Sequence, residues 1–148
     1  MSRFRFRLAS VLRLREAARD ACRAQLADAL RADQVLAEQL AALEAEQQRY
    51  SPTAAERIGS INVDRMLTTQ RYELLLAAQQ EMLNTQREQV QSEIENRQKA
   101  LIEADRQVRV LEKLRERRQA EHRRELARLE ARALDEAAGV LRQREGRS

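Results

Sequence analysis

Two apolar stripes, each stepping by three and four residues, flank one short cluster that holds the chain's only proline. This pattern constrains the fold most, because a stripe of that period runs down one side of an α-helix and has to be covered. The first stripe carries Leu8, Leu12, Cys22, Leu26, Ala29, Leu36, Leu40, Leu43 and Tyr50, with Arg15, Arg19, Asp33 and Gln47 at its remaining positions. The second carries Leu76, Leu83, Val90, Ile94, Leu101, Ala104, Val108 and Leu111, and is interrupted by Gln80, Arg87 and Arg97.

The cluster between them reads as a turn. Pro52 lacks the amide donor a helix interior needs, Gly59 and Ser60 follow, and Asn62 suits an N-cap with Asp64 in the first turn beyond it. The expected fold is all-α: a single long antiparallel two-helix coiled-coil hairpin over residues 1–148. Its first helix spans about 4–57, kinked or interrupted at Pro52, its turn about 58–62, and its second helix about 63–143. At 1.5 Å per residue the second helix would reach about 120 Å and the first about 80 Å.

Composition agrees. Aromatic residues are 3% of the 148, charged residues 35%, and there are three Gly. Sheets and Gly-rich phosphate loops need turn residues that are not present. Leu and Ala do nearly all the apolar work, which suits a thin seam and not a pocket.

The stripe fades after Leu114, and residues 115–125 hold one apolar side chain, Ala120. In a chain that folds back near residue 60, Phe4 falls opposite a residue near 119, so the stripe fades where the partner helix runs out. The second helix therefore overhangs the first, and Leu126, Leu129, Leu134, Val140 and Leu141 on the overhang call for another molecule.

Two registers fit the turn, with paired residue numbers totalling 116 or 123. The first stacks Arg19 on Arg97. The second pairs Leu40 with Leu83, Ala29 with Ile94, Cys22 with Leu101 and Leu12 with Leu111, and sets Asp33 beside Arg87. Like charges in one layer repel, which favours the second.

No catalytic constellation can be assembled from these residues, and the expectation is a non-enzyme with no cofactor and no metal site. His122, the only histidine, reads as solvent-facing, and Cys22, the only cysteine, as a small hydrophobe on the seam. A single cysteine forms no internal disulfide, which points to a reducing compartment. No apolar run approaches the roughly 20 residues of a membrane span, and the basic N-terminus has no continuous apolar stretch of the kind a secretory signal carries.

Charge is uneven along the chain. Residues 1–20 carry six Arg against two acids, and residues 111–148 eleven bases against eight acids. In a hairpin these segments meet at one end, giving it +7, while the turn end carries −3. The basic end suits an acidic partner. Nucleic acid is not expected, since no aromatics interleave with the bases. Phe4 and Phe6 lie at the terminal end, and Tyr50 and Tyr72 flank the turn, so the contacts are expected at the two tips. Arg13, Arg117 and Tyr72 lie off the chosen seam.

The opening MSRFRFRLASVLRLRE resembles the F-x-F-x-L-x-x-V-L-x-x-R start of the FliJ family, the soluble component of the bacterial flagellar type III export apparatus. INVDRMLTTQRYELLL, with Gln70-Arg71-Tyr72, resembles that family's entry into its second helix. LEKLRERRQAEHRREL over 111–126 and ALDEAA over 133–138 are similar to its later blocks, and Pro52 departs from its pattern.

The resemblance implies a stalk like the central subunit of rotary ATP synthases. It implies binding to the hexameric export ATPase ring and to the cytoplasmic linker of the export gate, and escort of export chaperones. It implies a cytoplasmic protein held peripherally at the inner membrane. It directs Phe4, Phe6, Leu8, Arg13, Arg15, Arg117, Arg118 and Arg124 towards the ATPase, and Tyr50, Tyr72 and Leu76 towards the gate. The equivalent stalk of a virulence secretion system, a generic coiled-coil scaffold and a nucleic-acid-associated basic coil stay open at this point.

Overall fold

The computed structural model describes residues 3–50 and 63–147. The chain is an all-α hairpin of two long helices, α1 (Ala9–Tyr50) and α2 (Val63–Glu145), packed against each other. The kink or interruption expected at Pro52, the turn at 58–62 and the Asn62 cap lie outside the described residues. Asp64 stands in the first turn of α2 and Arg142 and Arg144 in its last, each favourable to the helix dipole.

α1 starts at Ala9 and not near Phe4. The amide of Ala9 donates to the carbonyl of Phe6 at 3.2 Å, and that of Leu12 to Leu8 at 2.8 Å. The preceding F-R-F-R segment is unsuited to a helix start, because Arg3, Arg5 and Arg7 would crowd the positive end of the dipole and the aromatics gain little there. Residues 3–6 are non-helical and alternate instead: Phe4 and Phe6 are half-buried, Arg3 and Arg5 exposed, as a period of two requires.

The chain forms two compact units, one of Met1–Arg19 with Glu103–Ser148, the other Asp20–Ile102. In the first, Leu12 and Val108 are buried, with Leu8, Ala104, Leu111 and Leu114 half-buried around them. Arg15 donates to Gln107 at 2.6 Å. Burial ends at Leu126, and every residue from 127 to 147 is exposed, so the second helix overhangs the first.

In the second unit Ala29, Leu43, Leu76 and Ile94 are buried. Cys22, Leu36, Leu40, Leu83, Val90 and Leu101 are half-buried, and so are the polar seam residues Asp33, Gln47, Gln80, Arg87 and Arg97. These polar residues find partners across the seam. Gln47 donates to Gln80 at 3.0 Å, and Arg87 and Gln91 donate to the Asp33 carboxylate at 3.0 and 3.1 Å. Arg97 donates to the Gln25 backbone carbonyl and, at 2.8 Å, to Glu93. These contacts match the register with numbers totalling 123.

Asp33 is the more enclosed of its pair, with 19% of its side chain exposed against 42% for Arg87. A double-mutant cycle with Asp33→Ala and Arg87→Ala should give a coupling of about 0.5–1 kcal/mol in urea unfolding. Zero coupling would show that this pair does not hold the register.

Candidate partner-binding surfaces

The sequence directs two groups of residues towards partners, and each group falls within one unit. In the first unit, Arg13, Arg15, Arg117, Arg118 and Arg124 are exposed. Phe4, Phe6 and Leu8 are half-buried, and the Phe4 ring lies 5.6 Å from the His122 ring at 44°. His122 is thus not the solvent-facing residue expected; it is half-buried beneath the N-terminal segment. The signal was present, since counting the seam onward from Leu111 in steps of four and three lands on residue 122. The missing aliphatic stripe hid it.

The overhang keeps its own apolar residues in the open. Leu129 is 51% exposed, Leu134 71%, Val140 51% and Leu141 60%. Leu134 and Leu141 stand seven residues apart on one face of the bare helix, and Leu129 and Val140 eleven apart on another.

In the second unit the rings of Tyr50 and Tyr72 lie 4.5 Å apart at 54°. The Tyr72 hydroxyl donates to the Glu46 carboxylate. Glu46 is half-buried and went unnoticed in the sequence, because an acid beside a seam position reads as a flanking charge. Tyr72 is not off the seam as expected; it is half-buried, because it stands one turn before Leu76 on the same face. Leu76 itself is 2% exposed, so it supports this patch from beneath and does not form its surface.

The Glu46 carboxylate accepting the phenol proton, with burial and negative charge nearby, pushes the Tyr72 pKa up from 10.0 to about 12. A phenol with a raised folded pKa holds its proton longer in the fold. It contributes stability that is fully present below about pH 10 and is lost as the pH rises towards about 12. A phenolate absorbance titration should therefore place Tyr72 well above the ordinary tyrosine value, and Glu46→Gln should bring it down. A Tyr72 titration that Glu46→Gln leaves unmoved would contradict the Glu46 contact.

The roomier groove, of about 560 Å³, lies in the second unit and is lined by Ala32, Val35, Leu36, Val90 and polar Gln and Glu side chains. It holds no nucleophile–base pair. Among the described residues no group of His, Cys, Asp and Glu could hold a metal ion, and no helix is long and apolar enough to cross a membrane. What the geometry provides is two aromatic patches, a set of exposed arginines and an uncovered helix.

The profile of the Flagellar FliJ protein family matches residues 4–147. The chain belongs to that family. Nothing matches it among curated proteins, nor among solved structures. FliJ membership implies a component of flagellar type III export. The match begins at Phe4, so it takes in the non-helical F-x-F segment, and it runs on through the overhang.

Proposed function

We propose that this FliJ-family chain is the stalk between the hexameric export ATPase ring and the cytoplasmic linker of the export gate. It binds the ring through its first unit, stimulates the ATPase, contacts the gate through the tyrosine patch, and escorts export chaperones. It works in the cytoplasm, held at the inner membrane through these partners, and catalyses no reaction itself.

The observation that carries the reading is the bare overhang: a continuous helix whose residues 127–145 are all exposed while it presents Leu129, Leu134, Val140 and Leu141. Such a helix is suited to entering a ring whose inner wall covers it. Phe4, Phe6 and Leu8 support the base of the same unit, and Arg13, Arg15, Arg117, Arg118 and Arg124 supply charge for an acidic collar. Steering of this kind raises association rate and weakens with salt. At the other surface, Tyr50 is 49% exposed and Tyr72 is held by Glu46 and Tyr50. A fixed aromatic is suited to anchoring a small interface.

The test is ATPase stimulation by the full chain and by a variant with Leu134→Asp and Leu141→Asp. Both residues are exposed, so the variant should fold and should lose stimulation. Undiminished stimulation would remove the overhang from the mechanism.

A further inference from the structure

α2 carries a second apolar stripe that neither the hairpin seam nor the two surfaces above absorb. Val63, Leu67, Leu74, Ala78 and Met82 recur at helical spacing, and Arg71 fills the one gap. At about 100° per residue, Leu74 and Ala78 lie about 160° either side of Leu76, and Leu67 about 180° from it. Leu76 is buried against α1, so this stripe looks away from the seam. Val63 is 61% exposed, Leu67 45%, Leu74 71% and Met82 55%. A two-helix hairpin is expected to be polar on that side.

Arg71 identifies what covers the stripe. Its neighbours one turn away in either direction are Leu67, Thr68, Leu74 and Leu75, none of them acidic. Other arginines of α2 do meet a local carboxylate: Arg97 with Glu93, Arg109 with Asp105 and Arg128 with Glu125. A second copy laid antiparallel would pair Val63 with Met82 and Leu67 with Ala78, and would bring the two Arg71 side chains into adjacent central layers. That arrangement repels. A lipid surface is also a poor fit, because residues 63–82 carry three acids, Asp64, Glu73 and Glu81, against Arg65 and Arg71, and interfacial helices need basic flanks.

We propose that the outer face of α2 over residues 63–82 docks an amphipathic helix of a partner protein. That helix covers Leu67, Leu74, Ala78 and Met82 with its own apolar stripe and places a carboxylate on Arg71. The face is opposite Leu76, and Tyr72 lies about 40° from Leu76 on the seam side, so the proposal goes beyond the ring and gate reading and fails or stands without it.

The test uses the full chain and two synthetic helical peptides, each about three heptads long with leucines on one stripe. They differ only at the central stripe position, Glu in one and Lys in the other, and binding is read by fluorescence anisotropy. The Glu peptide should bind more tightly. Leu74→Asp with Met82→Asp should weaken it roughly tenfold or more, and Arg71→Glu should reverse the preference between the peptides. Circular dichroism melts should be unchanged, because all three residues are exposed. Binding indifferent to the paired Asp substitutions, or a preference that Arg71→Glu does not reverse, overturns the proposal. So does self-association abolished by Leu74→Asp, which gives the face to a second copy, or binding to phosphatidylserine vesicles abolished by the same change, which gives it to a membrane.

Discussion

Reversing Arg13 and Arg117 together to Glu is expected to cut ATPase stimulation severely and leave gate binding intact. Both side chains are exposed and lie in the unit that bears the overhang. Neither contributes to the seam, so the melting curve should not move. The loss should be roughly tenfold or more in apparent affinity at low salt, because four units of charge change on a surface that steers its partner. It should shrink as ionic strength rises and the Debye length falls below about 10 Å. Stimulation assays at two salt concentrations read this directly. A salt-independent loss would mean that the arginines make short-range contacts instead.

Tyr72→Ala is expected to do the reverse, abolishing gate binding and sparing the ring. The substitution removes a ring held 4.5 Å from that of Tyr50 and leaves the Glu46 carboxylate without its phenol. Interface aromatics of this kind are often worth 2 kcal/mol or more, about thirtyfold in affinity. Because Tyr72 is half-buried, some loss of stability accompanies the change, and Tyr72→Phe separates the two effects. The Phe variant keeps the ring against Tyr50 and loses only the hydroxyl, so it should retain most of the gate affinity. If Tyr72→Phe loses as much as Tyr72→Ala, the hydroxyl and Glu46 form the contact, and the ring does not.

The hairpin was legible in the sequence because its core is one-dimensional. Leu12, Ala29, Leu43, Leu76, Ile94 and Val108, the buried hydrophobic residues among those described, all lie on the stripes read from spacing alone. The polar interruptions were legible too. Asp33 and Arg87 meet at 3.0 Å because a charge at a seam position has few places to go except its opposite across the seam.

What spacing could not show was how the ends are finished. The F-x-F segment falls inside the expected first helix, but residues 3–6 are non-helical and Phe4 meets His122. The family resemblance directs Leu76 to the gate, and only the packing reveals that it is buried. Glu46 gained its role from a partner 26 positions away, which no local pattern announces. Partner surfaces are less legible than seams for the same reason, since half of their pattern lies in another chain.

The account rests on one chain holding two partners at once. Analytical ultracentrifugation of the full chain with the assembled ATPase ring and the gate's cytoplasmic fragment tests this most directly. The expected result is a single ternary species that contains both, and that splits into a ring-free complex with Arg13→Glu plus Arg117→Glu and into a gate-free complex with Tyr72→Ala. If ring and gate fragment displace each other from the chain, or if both variants lose the same partner, the chain does not link them.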